Sequence, residues 1–299
     1  MSDLAAAALT TLLAYPNVSD GRDLESIAAI GRAFGDGVLD VHTDPDHNRS
    51  AFTLAGAPGE LAGAVLGGAR EAIGRIRIDL HDGVHPRVGA IDVAPIVYVD
   101  AARRGPACAE ALVLADRLGD ELEVPVLLYG ALGGGRTRAE LRRGGPVALA
   151  RRIARGELAP DFGPRALHPT AGAVLVAARP PLIAFNVELA DDRTLEQARE
   201  LAAAIRESGP EGLAGVRAIG LWLERAGHAQ VSTNIEDHDA TSPAAVVAAI
   251  ARLAGADAIA GAELVGLAPA AAFADWPADV PLTGLETIED ALAQRAASA

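Results

Sequence analysis

Residues 83–93 read Gly83-Val84-His85-Pro86-Arg87-Val88-Gly89-Ala90-Ile91-Asp92-Val93. Pro86 directly after His85 steers the histidine towards extended backbone and away from a helix. Gly83 and Gly89 bracket it, as they would at a tight turn or a close backbone approach. The apolar run behind it, residues 90–99, predicts a buried strand. A histidine fixed at the mouth of a strand suits proton transfer near neutral pH. An imidazole satisfied inside a Pro/Gly turn is the other reading, and the local sequence leaves both open.

Working outward, strands are expected at 10–15, 38–41 and 51–55, with a polar loop at 42–50. Helices are expected at 23–34 and 58–73, the latter ending in Arg70 and Arg75, the favourable sense for its dipole. A strand at 91–99, a helix at 105–118 and a strand at 124–129 follow. The loop 130–136 is rich in glycine, and 139–155 reads as helical with an interruption at Gly145-Pro146. The Pro/Gly-punctuated stretch 156–169 is the expected linker. In the second half, 172–178 and 182–189 read as two strands of a hairpin. A helix at 194–207, strands at 216–223 and 229–235, and a helix at 243–253 capped by Thr241 or Ser242 come next. A short strand near 258–265 and two short helices close the chain. Strands alternate with helices but hairpin-length gaps also occur, which predicts an α/β fold with mixed sheets. The expectation is two α/β subdomains, 1–168 and 169–299, each a mixed sheet with helices mainly on one face and a ligand cleft between them. No short-period repeat is visible.

Half of the 299 residues are apolar and only 3% are aromatic, so the core must be Ala, Val, Leu and Ile. The 26 basic residues are outnumbered by 40 acidic ones, a formal charge of −14, which argues against nucleic-acid partners that work by neutralising phosphates. Every one of those basic residues is Arg; with no Lys there is no Schiff-base nucleophile. Cys108 is the single cysteine, so neither an intramolecular disulfide nor a cysteine zinc site is expected. The apolar stretch 4–15 follows Asp3 rather than a basic segment and does not read as a signal peptide. No run suits a membrane span. The expected setting is cytoplasmic.

Among local constellations, the loop 42–50 holds His42, Asp44, Asp46 and His47. A polar turn shaped by Asp44-Pro45 explains these residues better than a metal site. His81 and His85 are four apart, but Gly83 and Pro86 rule out the helix that would give that spacing meaning. The Gly133-Gly134-Gly135 loop lacks the Lys-Ser/Thr pair of a P-loop and reads as a surface loop. No G-x-S-x-G elbow is present. What remains is His85 and a set of turn-mounted arginines: Arg22, Arg49, Arg87, Arg165 and Arg179. Singly each reads as a solvated charge; gathered on an acidic protein they would suit a polycarboxylate ligand.

Several segments, in order, resemble the glutamate formiminotransferase family. They are Pro16-Asn17-Val18-Ser19-Asp20-Gly21-Arg22, Asp46-His47-Asn48-Arg49-Ser50, the 83–93 block, and Val124 to Gly130. Residues 159–164, Pro169-Thr170-Ala171-Gly172-Ala173, Leu182 to Val187, Ala229-Gln230-Val231-Ser232-Thr233-Asn234 and Leu264-Val265-Gly266-Leu267 complete the likeness. The resemblance spans about 10–270. It implies two α/β subdomains and transfer of a formimino group from N-formimino-L-glutamate to N5 of tetrahydrofolate, a step that closes histidine degradation. It implies His85 as general acid/base, tetrahydrofolate as co-substrate, no metal, and a homodimer. The substrate and folate contacts it implies are Asn17, Asp40, Asn48, Arg49, Arg87, Gly89 and Arg179 in the first half. In the second half they are Asn186, Gln230, Thr233 and Asn234. The cyclodeaminase domain of animal members is not expected in this chain. Three positions depart from the family pattern: Val84 stands where Glu usually precedes the histidine, Pro180 replaces a Lys, and Ala131-Leu132-Gly133 replaces Glu-Ala-Ala. These departures keep an alternative open, a divergent folate-binding relative with another one-carbon donor, such as a formyl compound, or without catalysis.

Overall fold

A computed structural model describes residues 11–298 and divides the chain into two compact units after Pro180. The segment 1–10, which includes Asp3 and most of the apolar N-terminal stretch, lies outside the described residues.

The first unit contains β1 (Leu12–Ala14), β2 (Asn17–Val18), α1 (Leu24–Phe34), β3 (Val38–Asp44), β4 (Arg49–Gly56) and α2 (Leu61–Arg75). It continues with β5 (Ile91–Val93), β6 (Ile96–Val97), α3 (Arg104–Glu121), β7 (Val126–Leu128), α4 (Arg138–Arg142), α5 (Gly145–Ala154), β8 (Val174–Val176) and β9 (Ala178–Arg179). These nine strands form one mixed sheet. Three pairs of short strands each run along one line. β1 and β2 keep one register against β4, from Leu12↔Gly56 to Val18↔Ser50. β5 and β6 are continued in the same way by their parallel neighbours β8 and β9. The break between β1 and β2 contains Pro16 and that between β5 and β6 contains Pro95; neither has an N–H for the ladder. The predicted strand 91–99 is therefore two strands.

Helix α1 begins at Asp23, whose carboxylate accepts from the backbone N–H groups of Glu25 and Ser26, the usual stabilisation of a helix start. Helices α1, α2 and α3 cover one face of the sheet. Ile27, Ile30, Phe34, Val65, Leu66, Ala111 and Leu114 pack there with Leu12, Ala14, Phe52, Leu54, Ile91 and Ile96. Leu141, Leu149 and Ile153 of α4 and α5 cover the opposite face only at the β5–β8–β7 end. At the β1–β4–β3 end no helix of the described residues of this unit packs on that opposite face.

The second unit contains β10 (Ile183–Leu189), α6 (Leu195–Ile205), β11 (Val216–Leu223), β12 (His228–Ile235), α7 (Pro243–Ala254), β13 (Ile259–Val265), β14 (Leu282–Thr283) and α8 (Ile288–Ser298). Ser242 caps α7 by accepting from Ala245 N–H. The sheet order is β11-β12-β10-β13-β14. Phe185, Val187, Val231, Ile235 and Leu264 face α6 and α7, and Phe185 meets Phe273 and Trp276 edge-on in an aromatic cluster with centroids 5.6–6.4 Å apart.

Both units share one wiring. In each, a strand, a helix, a hairpin, a helix and a strand give the spatial order second, third, first, fourth. This is the split βαβ, or ferredoxin-like, arrangement, and it is a repeat of topology without a visible repeat of sequence.

The structure corrects several expectations. Residues 172–178 and 182–189 are not a hairpin: β8 and β9 pair with β5, β6 and β7, whereas β10 pairs with β12 and β13. The units accordingly divide at 180/181 rather than at 168/169. The polar segment 42–50 is mostly strand, with only a tight turn between β3 and β4.

Candidate active site

Sequence alternation places the site. In β4, Phe52 and Leu54 face the helices, so Arg49, Ala51 and Thr53 face the other way. Register carries that face to Asn17 in β2, to Asp40 and His42 in β3, and to Arg179 in β9. Five of the predicted residues and regions therefore meet on this face of the first sheet: Asn17, Asp40, Arg49, Arg179 and the loop carrying His85.

Arg49 is the centre of this group. Its Nε donates to Asn17 Oδ1 at 2.9 Å, and its Nη1 donates both to Asp92 Oδ2 at 2.8 Å and to His85 Nδ1 at 2.9 Å. The same Asp92 oxygen accepts from Arg142 Nη2, and the other oxygen accepts from Val88 N–H at 2.9 Å. The Asp92 side chain is 1% exposed, those of Arg142 and Arg49 10% and 15%. Burial alone would raise the Asp92 carboxyl, but Arg142 and Arg49 outweigh it and hold it below the ordinary carboxylate range. Burial pushes Arg49 down to about 10, so it stays a cation at neutral pH.

His85 is held well below its ordinary value, first by burial, then by the positive charges of Arg49 and Arg142, and further by the neighbouring His47. The His47 ring stacks near it, with centroids 5.8 Å apart. The imidazole is thus neutral at physiological pH. A guanidinium can only donate, so Nδ1 accepts and the ring proton of the neutral form sits on Nε2.

The loop that presents His85 is tied down on several sides. Arg87 donates to the carbonyls of Gly83, His85 and His81. Asn48 takes a left-handed φ of 49°. Its amide accepts from Gly21 N–H and donates to Asp82 O, and its carbonyl lies 3.0 Å from His81 Nε2. Gly89 bridges to Gly172, and a Cβ there would collide with the backbone of Ala173. Arg87, Asn48 and Gly89 are thus engaged in shaping the loop. Arg22 is likewise engaged, by Asp82 and Pro45 O, and Arg165 is exposed.

Arg179 forms a second cationic spot. It lies over the Tyr15 ring at 5.7 Å, and Arg138 lies over Tyr129 at 5.9 Å. Burial lowers Arg179, with Arg138 adding repulsion.

In the second unit, Asn186 and Gln230 are 2% and 1% exposed and share with Asn234 the face turned away from α6 and α7. Glu188, Ser232 and Glu263 stand on that same face, and Asn186 Nδ2 donates to Glu263 Oε2 at 3.0 Å. Thr233 points the other way, with its hydroxyl bonded to Phe185 O in the core.

Two members of the His85 cluster were not singled out from sequence. Asp92 lay in plain view as the one charge in the apolar run 90–99, and a buried charge requires a partner. Arg142 is one of several arginines on its helical stretch, with no local mark. Among the described residues, no group of three or more His, Cys, Asp or Glu gathers as a metal site, and no helix is long and apolar enough to cross a membrane.

Comparison with known proteins matches residues 11–179 to the formiminotransferase domain, N-terminal subdomain, and residues 184–278 to the formiminotransferase domain. A glutamate formimidoyltransferase from Streptococcus pyogenes is 35% identical over 87% of this chain and 89% of its own length. One from Thermoplasma acidophilum is 33% identical over 76% and 77%. The formimidoyltransferase-cyclodeaminase of Sus scrofa is 38% identical over 87% of this chain, and the chain spans about half the length of this and similar vertebrate relatives. With both units matched and a bacterial relative aligned over nearly its whole length, this chain belongs to the formiminotransferase family.

Proposed function

We propose that this chain transfers the formimino group of N-formimino-L-glutamate to N5 of tetrahydrofolate, with His85 as the proton-handling group. The observation that carries this reading is a neutral, half-buried imidazole fixed by Arg49 beside the buried Asp92–Arg142 pair. N5 attacks the formimino carbon and forms a tetrahedral intermediate. The N5 proton must leave, the glutamate nitrogen must gain one, and the bond from that nitrogen to the formimino carbon then breaks. An imidazole beside the reacting atoms serves both transfers. Both reactants carry carboxylates, and cationic groups on the same face would orient them. Arg49 Nη2 carries no hydrogen bond among the described residues, and Arg179 adds a second cation on that face. Asn186, Gln230 and Asn234 supply amide donors and acceptors on their own sheet, suited to hydrogen-bonding a polar ring.

Spectrophotometric turnover of N-formimino-L-glutamate with tetrahydrofolate tests the reading. His85→Ala should lose roughly 10²-fold or more in turnover while folate binding, followed by calorimetry, changes little. Val84, with 37% exposure beside His85, favours a second reading, in which a formyl compound is the donor. Folate binding without turnover of formiminoglutamate would move the assignment there. A homodimer in the cytoplasm belongs to the same proposal; light scattering at a monomer mass would remove the dimer.

A further inference from the structure

The face around His85 differs from the usual setting of a proton-transferring histidine in one respect. Such a ring commonly donates one N–H to a carboxylate, which keeps the other nitrogen free to accept. Here the carboxylate of the cluster, Asp92, does not bond the ring among the described residues. It bonds Arg49, and Arg49 bonds the ring. The order is carboxylate, guanidinium, imidazole, so the group that reaches Nδ1 can only donate to it.

We propose that Arg49 is a positioning residue that locks His85 as the Nε2–H tautomer, so that the unliganded enzyme presents an N–H donor to the reacting atoms and not a lone pair. This rests on the reading of His85 as the proton-handling group. The lock is built rather than incidental. Asn17 holds Arg49 Nε and Asp92 holds the same Nη1 that reaches the ring. Asp92 is itself fixed by Arg142 and by Val88 N–H. Neutral His85 can therefore polarise a formimino nitrogen by donating to it. To accept the N5 proton at Nε2, it must first lose that proton to solvent and gain one at Nδ1, which requires Arg49 to let go. A substrate carboxylate that takes up Arg49 would permit that exchange.

The charged and titratable groups facing the ring are Arg49 from β4, His47 from the β3–β4 turn and Arg142 from α4, with Asp92 of β5 behind both arginines. Both guanidinium groups and the neighbouring His47 oppose a protonated His85, and the Pro86 carbonyl favours one.

The test is two-bond ¹H–¹⁵N correlation on full-length protein labelled with ¹⁵N-histidine and free of ligand, with the His85→Gln spectrum identifying the signal. The expected wild-type result is Nδ1 in the unprotonated range and Nε2 in the protonated range. Arg142→Gln removes a cation but not the donor to Nδ1. It should raise the titration midpoint and leave the tautomer intact. Arg49→Gln should raise the midpoint by about one pH unit or more and mix the two tautomers. A wild-type ring protonated at Nδ1 overturns the proposal outright, whatever becomes of the variants. So does an Arg142→Gln spectrum with the tautomer mixed as fully as in Arg49→Gln. An unmoved signal from His168, whose Nδ1 accepts from Thr170 and Ala171 N–H within the same unit, confirms that a variant is folded. None of these readouts depends on turnover, so they stand if the formimino assignment fails. Where turnover is found, Arg49→Gln should move the acidic limb of the kcat profile to higher pH, which loss of packing alone would not do.

Discussion

Asp92 carries one negative charge against two guanidinium groups and is sealed from water. Removing one member of such a set leaves an uncompensated charge, so Asp92→Asn should lose about 3–5 kcal/mol of stability, read as a lower urea midpoint at unchanged slope. His85 adds a pH dependence of definite sign. Its pKa in the fold lies below the unfolded value of about 6.5. Between those two values the unfolded chain takes up a proton that the folded ring refuses, so stability rises with pH there. The contribution is complete above about 6.5 and is lost as pH falls towards the folded value. The drop in Tm between pH 7 and pH 5 should therefore be shallower in His85→Gln than in the wild type; an equal drop would count against the buried neutral ring. At this scale the sequence revealed the histidine and its Arg49 partner through local turn signals and resemblance. It did not reveal Arg142, because a helix of arginines looks alike from outside and only packing decides which one turns inward.

At the scale of elements, α2 depends on a residue of α3. The Glu110 carboxylate accepts from Ala62 N–H at 2.6 Å and from Gly59 N–H at 2.5 Å, satisfying donors that a helix start leaves open. Glu110→Ala should cost about 1–3 kcal/mol, and faster amide exchange at Ala62 should accompany it. Helices α1 and α2 meet where Gly68 lies on the Phe34 ring, with no room for a Cβ; Gly68→Ala should cost about 1–3 kcal/mol through overpacking, seen in thermal denaturation. Helices were the most legible elements, because apolar spacing and caps such as Asp23 and Ser242 are written locally. Strands were less so. Pro95 divides one apolar run into two strands because it removes a ladder donor. The segment 42–50 is polar and yet extended, since one side of β3 and β4 faces the site rather than the core. The supposed hairpin at 172–189 failed for a different reason: alternation shows that a segment is a strand but not which sheet it joins, and β8 and β9 find partners far back along the chain.

At the scale of the molecule, each unit has its own apolar core, and the two tryptophans, Trp222 and Trp276, both belong to the second. Tryptophan fluorescence therefore reports that unit alone, whereas circular dichroism reports both. The two should give non-coincident transitions in urea; coincidence would mean the units unfold as one. Two α/β units were legible from the alternation of elements, but their common wiring was not, because the same order is built from different residues. That common wiring has a consequence for how the chain reaches its native state. A polypeptide that draws the same strand diagram twice offers each nascent strand two sheets of compatible order, and cross-pairing between halves is a trap peculiar to such molecules. Dissimilar fillings guard against it. Small aliphatic side chains packed around Phe34 and Phe52 fill one core, and the Phe185–Phe273–Trp276 wedge fills the other. A strand that enters the wrong half meets a volume it cannot fill.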